Sequence, residues 1–147
     1  MSENIRVAID GPSGAGKSTL ARSVAARLNF LYVDTGAIYR TIGYAVWRKG
    51  IDPRDRSAVV AVLPDLEICL TYGTDGLQHM ELNGMDVTAE IRLPEVSRYA
   101  SLVSAYPEVR AYLLEMQRQL ARENSVVMDG RDIGTVVLPD ATVKIFL

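Results

Sequence analysis

One loop near the N-terminus has the residue types and the spacing that would bind a polyphosphate. The stretch Gly11-Pro12-Ser13-Gly14-Ala15-Gly16-Lys17-Ser18 matches the pattern G-x-x-x-x-G-K-[ST] at every specified position. Glycines let the backbone come close enough for several N–H groups to contact one anion. Lys17 would reach the β- and γ-phosphates of a nucleotide, and the Ser18 hydroxyl would bind Mg²⁺. The loop therefore predicts nucleotide binding.

The segments on either side of this loop supply the context that the motif requires. Residues Ile5–Asp10 are rich in β-branched side chains and predict a short strand. After Lys17, the apolar residues Ala21, Val24, Ala25 and Leu28 recur at the spacing of one helix face. A helix N-terminus favours an anion, because its first N–H groups are unpaired and its dipole is positive there. A chance match in a glycine-bearing loop is the alternative, and this strand–loop–helix order argues against it.

Two further charged segments follow predicted strands. Asp34-Thr35-Gly36-Ala37-Ile38-Tyr39-Arg40 opens a helix, which Thr35 could cap and from which Arg40 could bind a phosphate with two hydrogen bonds. Asp129-Gly130-Arg131-Asp132 follows the apolar strand Ser125–Met128. At the carboxyl end of a parallel strand, an aspartate can hold Mg²⁺ or its waters and an arginine can clamp a phosphate. A helix start with a surface arginine and a charged turn are the alternatives.

The order of predicted elements indicates the fold class. Strands separated by helices predict an α/β fold, with a parallel sheet covered by helices on both faces. A small antiparallel insert interrupts this alternation, because Glu67–Tyr72 and Leu77–Leu82 both read as strands. Asn83-Gly84 then matches the two-residue hairpin turn in which both central residues have positive φ. Residues Val143–Leu147 predict one more strand.

Composition and charge exclude several other classes of protein. The 147 residues are 48% hydrophobic and 23% charged, which is typical of one globular domain. The net charge of −2 offers no general attraction to nucleic acid or to an anionic membrane. One cysteine excludes an intramolecular disulfide, and the longest apolar run, Ala58–Leu63, is far too short to span a bilayer. We expect a cytoplasmic, monomeric protein whose partners include neither nucleic acid nor membrane.

A phosphate-binding loop alone does not separate kinases from ATPases and GTPases. A guanine-nucleotide switch would carry an Asn-Lys-x-Asp string and an Asp-x-x-Gly string, and neither string occurs in this sequence. The charged segments at Asp34–Arg40 and Asp129–Asp132 favour instead an enzyme with a second, phosphate-bearing substrate.

Together these segments resemble bacterial cytidylate kinases. The resemblance covers essentially the whole chain, through residues 11–19, 34–40, 129–137, 139–141 and 144–147 and the antiparallel insert. The strings D-T-G-x-x-Y-R and D-G-R-D-x-G-T are more diagnostic than the loop, which many NTPases share. The resemblance implies a P-loop NTPase fold, with a core of residues 1–34 and 124–147 and a monophosphate-binding region of residues 35–123.

The resemblance also implies an activity and a role for each site residue. The family transfers the γ-phosphoryl group of ATP, with Mg²⁺, to CMP or dCMP. ATP is expected to contact Gly11, Pro12, Ser13, Gly14, Ala15, Gly16, Lys17, Ser18 and Thr19. The acceptor is expected to contact Thr35, Tyr39, Arg40, Ser101, Arg110, Arg131 and Asp132, with Arg40 and Arg131 on the phosphate and Ser101, Arg110 and Asp132 on the cytosine edge. The expected catalytic groups are Lys17, Arg131 and Asp129, and the expected metal ligands are Ser18 and Asp129, the latter directly or through water.

Members of this family continue, after the last strand found here, into an arginine-rich lid, a further strand and a C-terminal helix. We therefore expect residues 1–147 to form an incomplete kinase domain that phosphorylates CMP very slowly, if at all. An assay of ADP release would contradict this expectation if turnover approached about 1 to 10³ s⁻¹, the ordinary range for enzymes. The alternatives are another small P-loop kinase with AMP, dTMP or shikimate as acceptor, and a nucleotide-binding module without catalysis.

Overall fold

A computed structural model describes residues 4–12, 14–74 and 76–147, which form two compact units. The first unit contains the described residues up to Thr35 together with residues 114–147, and the second contains residues 36–113. The strands are β1 (Arg6–Asp10), β2 (Leu31–Asp34), β3 (Ile68–Tyr72), β4 (Gln78–Leu82), β5 (Met85–Asp86), β6 (Val126–Gly130) and β7 (Val143–Phe146). The α-helices are α1 (Lys17–Leu28), α2 (Thr35–Arg48), α3 (Arg56–Val62), α4 (Pro94–Val103) and α5 (Pro107–Glu123). Short 3₁₀ turns occupy Leu63–Asp65 and Glu90–Arg92, and a π-helical turn occupies Ile133–Val137.

The first unit contains a parallel sheet with the strand order β2-β6-β1-β7. Each of these strands is separated from the next in sequence by at least one helical element, which is why they pair in parallel. One core cluster of this unit joins the sheet to the apolar face of α1 and contains Val7, Ile9, Ala21, Ala25 and Val127. The predicted parallel sheet flanked by helices is confirmed.

The second unit contains the predicted antiparallel insert, a three-stranded sheet with the order β3-β4-β5. Asn83 and Gly84, between β4 and β5, have φ values of 51° and 82°. Both residues are thus left-handed, as the Asn-Gly hairpin turn requires. The Asn83 side chain also accepts a hydrogen bond of 2.7 Å from the backbone N–H of Glu67, which ties the turn to the strand entering the sheet.

Two helices of the second unit, α2 and α4, approach each other at Gly43. A Cβ built on Gly43 would lie 2.7 Å from the backbone nitrogen of Ala100, 2.9 Å from its Cα and 3.0 Å from the carbonyl oxygen of Val96. These atoms are all backbone, so no side-chain rotation could make room for an extra carbon. The contact explains why a glycine is tolerated in the middle of α2 despite its low helix propensity.

We expect Gly43→Ala to destabilise the protein by about 1–3 kcal/mol, because overpacking this contact must separate two helix backbones. Urea unfolding would measure the change in the free energy of unfolding. Helix propensity alone predicts the opposite sign, a gain of about 1 kcal/mol for alanine over glycine. A stabilised Gly43→Ala variant would therefore contradict the close contact.

Candidate functional site

The phosphate loop connects β1 to α1. Gly14 and Gly16 have φ values of 81° and 85°, in the left-handed region that favours glycine. A Cβ at either position would meet none of the described atoms within 4 Å, so these glycines are needed for their conformation and not for space. Gly16 is the N-cap of α1, whose first N–H groups have no partner inside the helix and favour an anion. The backbone at Gly14 and Gly16 and the start of α1 are therefore compatible with the predicted phosphate-binding site.

Most of the predicted nucleotide-contacting residues are accessible. Pro12, Gly14, Ala15, Gly16, Ser18 and Thr19 are exposed, Lys17 is half-buried and Gly11 is buried. Ser13, the remaining member of the predicted set, lies outside the described residues.

Three parallel strands end at one edge of the sheet, beside this loop. The register places Asp10 opposite Gly130 and Asp34 opposite Asp129. The Gly11 N–H also donates to the Gly130 carbonyl at 3.2 Å. Because ligands of open α/β sheets bind at the carboxyl ends of the strands, the phosphate loop and the 129–132 segment meet where a ligand is expected.

Asp129 is a buried acid at this edge, with an exposed fraction of only 3%. Its Oδ2 accepts a hydrogen bond of 2.8 Å from the Tyr32 hydroxyl, and the Ser18 side chain hydrogen-bonds to the same carboxylate. Burial raises the pKa of Asp129 and the charge of Asp34 raises it further, whereas the two hydrogen bonds and the charge of Lys17 lower it. The structure thus brings Lys17, Ser18 and Asp129 together.

The donor set of Ser18 and Asp129 fits a magnesium ion. A hydroxyl and a carboxylate are hard oxygen ligands of the kind that Mg²⁺ prefers, usually alongside water and substrate phosphates. Because the Ser18 hydroxyl and the Asp129 carboxylate are in hydrogen-bond contact, both side chains could bind the same ion. A divalent cation beside a buried acid favours its ionised form, which opposes the effect of burial on the pKa of Asp129.

Tyr32 contacts the predicted site residue Asp129, although Tyr32 itself was not among the predicted site residues. Burial raises the pKa of Tyr32, and the neighbouring charges of Asp34 and Asp129 raise it further, so the hydroxyl stays protonated and donates to Asp129. Strand alternation places Tyr32 on the same face of β2 as Asp34, two residues later. That spacing is the signal in the sequence that points to Tyr32.

We expect Tyr32→Phe to lower the free energy of unfolding by about 1–3 kcal/mol, because the buried Asp129 carboxylate loses a hydrogen-bond donor. Urea unfolding at neutral pH would measure the loss. Tyr99→Phe is a matched control, since Tyr99 is also half-buried and its hydroxyl makes no hydrogen bond within the described parts of the chain. Equal effects of the two substitutions would show that the Tyr32–Asp129 bond contributes nothing to stability.

Thr35, the first residue of α2, and Gly130, the last residue of β6, lie next to each other within the first unit. The Thr35 hydroxyl donates to the Asp129 carbonyl at 2.6 Å, and Thr35 is only 4% exposed. A Cβ at Gly130 would lie 2.8 Å from the Thr35 hydroxyl oxygen and 2.9 Å from Cδ1 of Ile133. Glycine at position 130 therefore leaves space for the threonine hydroxyl.

The other residues predicted to bind the acceptor are distributed over both units. They are Tyr39 and Arg40 on α2, Ser101 on α4, Arg110 on α5, and Arg131 and Asp132 after β6. Tyr39, Arg40 and Asp132 are half-buried, whereas Ser101, Arg110 and Arg131 are exposed. Within the second unit, α2 and α4 are in contact at Gly43 and Ala100. Tyr39 lies one helical turn before Gly43 on α2, and Ser101 follows Ala100 on α4, so the two predicted residues are on adjacent helices.

The family model and the relatives that match this chain all belong to one group of known proteins. A family model described as Cytidylate kinase matches residues 7–147. The chain is 51% identical over 147 residues to the cytidylate kinase of Desulfitobacterium hafniense strain Y51, covering all of this chain and 62% of that protein. It is 50% identical over 145 residues to the cytidylate kinase of Caldicellulosiruptor bescii, covering 99% of this chain and 64% of that protein. It is also 50% identical over 147 residues to the bifunctional pantoate ligase/cytidylate kinase of a Synechococcus species, covering all of this chain and 30% of that protein. The chain thus spans less than two thirds of the length of each of these relatives.

Proposed function

Because this chain belongs to the cytidylate kinase family, we propose that the protein transfers the γ-phosphoryl group of ATP to CMP or dCMP. The observation that carries the proposal is the cluster of Lys17, Ser18 and Asp129 where the phosphate loop meets the end of β6. A cation, a hydroxyl and a buried carboxylate are the groups that a nucleoside triphosphate with its metal requires.

The ATP polyphosphate would be held by the N–H groups of the phosphate loop and by the Lys17 ammonium. Ser18 and Asp129 would hold Mg²⁺, which when bound neutralises charge on the phosphate oxygens. The hydrogen bond from the Tyr32 hydroxyl would orient the Asp129 carboxylate for binding the metal ion.

The acceptor phosphate would be bound by Arg40 and Arg131. Each guanidinium can make two parallel hydrogen bonds to phosphate oxygens. The attacking group is an anionic phosphate oxygen, which needs no general base. The protein therefore has to align two polyanions and offset their mutual repulsion, and Lys17 and Arg131 supply positive charge for that purpose.

The base of the acceptor would be read by Ser101, Arg110 and Asp132. Cytosine offers an amino group as a donor, and a ring nitrogen and a carbonyl oxygen as acceptors. A carboxylate suits the amino group, and hydroxyl and guanidinium donors suit the two acceptors. This donor and acceptor pattern favours cytosine over uracil, whose carbonyl oxygen at the same position would face the Asp132 carboxylate.

A cytoplasmic location, a monomeric state and the absence of a nucleic-acid partner are also part of the proposal. The net charge of −2 and the free, exposed thiol of Cys69 support it. Within the described parts of the chain, the helices are all too short or too polar to serve as a membrane span. Light scattering of the purified chain would test the monomeric state.

Calorimetric titration of the chain with ATP and with a panel of acceptors tests the proposed substrates. We expect CMP to bind more tightly than AMP, dTMP or shikimate. Tightest binding by one of the other three compounds would reject the acceptor assignment. Binding of ATP without binding of any acceptor would favour a nucleotide-binding module without catalysis.

A further inference from the structure

Asp10, the last residue of β1, bonds to the segment that follows β6. One carboxylate oxygen accepts the backbone N–H of Ile133 at 2.7 Å, and the other accepts the backbone N–H of Gly134 at 2.8 Å. Asp10 is only 8% exposed. The two contacts join residues more than 120 positions apart in the sequence and hold the first turn of the π-helical segment Ile133–Val137 against the end of β1.

These contacts need a carboxylate and a small residue opposite it. Both Asp10 oxygens act as acceptors, whereas an asparagine would turn an amino group toward one of the two N–H groups. A Cβ on Gly134 would lie 3.2 Å from the Asp10 Oδ2, which is tighter than ordinary contact. Gly134 therefore lets the backbone approach the carboxylate, and the two charge-assisted bonds offset the cost of burying Asp10.

The segment between β6 and the π-helical turn is held on both sides. Before it, the Gly130 carbonyl accepts the Gly11 N–H at 3.2 Å. After it come the two bonds to Asp10. The two residues between these anchors are Arg131 and Asp132. Both anchors are made by consecutive residues, Asp10 and Gly11, at the point where β1 enters the phosphate loop.

We propose that Asp10 is a positioning residue that fixes Arg131 and Asp132 relative to the phosphate loop and so sets the affinity and base preference for the acceptor. The proposal rests on the proposed function, in which Arg131 binds the acceptor phosphate and Asp132 binds the cytosine amino group. Asp10 itself contacts neither nucleotide in this scheme. It acts through the backbone of the segment that carries both side chains.

The test compares Asp10→Asn with the parent chain in calorimetric titrations with CMP, UMP and ATP. We expect CMP affinity to fall about 10- to 100-fold, as when an outer-shell partner of a binding group is lost, and ATP affinity to change less than about threefold. The preference for CMP over UMP should also shrink, because Asp132 no longer holds one position. Asp140→Asn is the matched control, since the Asp140 side chain is 76% exposed and lies on the surface of the same unit.

Two further measurements keep the test decisive. Gly134→Ala crowds the Asp10 carboxylate without removing it, and we expect it to lower CMP affinity as Asp10→Asn does. It therefore serves as the test variant if Asp10→Asn fails to fold. Amide hydrogen exchange in the parent chain should show protected N–H groups at Ile133 and Gly134, and fast exchange there would overturn the proposal.

Unchanged CMP affinity and CMP/UMP preference in a folded Asp10→Asn variant would also overturn the proposal. If the parent chain itself does not prefer CMP, the proposed function fails instead.

Discussion

The Lys17→Met variant is expected to bind ATP about 100-fold more weakly than the parent chain while keeping its affinity for CMP. A hydrogen bond to a charged group contributes about 1.5–3 kcal/mol, and Lys17 would donate to the polyphosphate as well as offset its charge. Methionine matches the four-atom apolar stem of lysine and lacks only the ammonium group, so the start of α1 should fold as before. Calorimetric titration with ATP and with CMP would measure both affinities.

The control for this variant is Lys49→Met. Lys49 is exposed at the C-terminal end of α2, and the substitution removes the same charge far along the chain from the phosphate loop. Lys49→Met should leave ATP affinity unchanged. An equal loss of ATP affinity in both variants would mean that the effect comes from net charge and not from a contact made by Lys17.

Features that depend on neighbours in sequence could be predicted well. The phosphate loop was predicted from its glycines, and Gly14 and Gly16 have the positive φ that makes glycine necessary there. The hairpin turn was predicted from the Asn83-Gly84 pair, and both residues are left-handed. In each case the preference of one or two residues for a rare backbone conformation is strong enough to fix the local structure.

The end of β6 shows where local preference fails. The apolar run predicts a strand that ends at Met128, and aspartate and glycine are depleted from strands in general. The structure continues β6 through Asp129 and Gly130, which pair with Ile9 and Asp10 of β1. Pairing with a buried neighbouring strand outweighs the weak intrinsic preference. As a result, Asp129 and Gly130 lie in the sheet, and only Arg131 and Asp132 of the charged segment follow the strand.

The contacts that position the site could not be predicted, because they join distant parts of the chain. The Tyr32–Asp129 bond spans 97 positions and the Asp10–Gly134 bond spans 124. The residue types were visible in the sequence, but a tyrosine in a strand or an aspartate at a strand end is usually explained by local structure alone. Only the register of β1, β2 and β6 brings these side chains to their partners.

Asp132→Asn is expected to weaken CMP binding by about 2 to 3 kcal/mol, or roughly 30- to 150-fold, with ATP affinity nearly unchanged. Asp132 follows Arg131 directly and is half-buried, so its carboxylate can be partly shielded from water when a base covers it. The carboxylate accepts from the cytosine amino group, and asparagine replaces one of its two acceptor oxygens by a donor. Calorimetric titration with CMP, UMP and ATP would measure the three affinities.

The UMP titration separates loss of base recognition from loss of folding. The asparagine amide can donate to the uracil carbonyl that the Asp132 carboxylate repels, so the preference for CMP over UMP should narrow or reverse in Asp132→Asn. A folding defect would instead lower the affinities for CMP, UMP and ATP together. Asp140→Asn, the same substitution at an exposed position of the same unit, should change none of them. An Asp132→Asn variant that keeps the CMP affinity and CMP/UMP preference of the parent chain would exclude Asp132 from the base site.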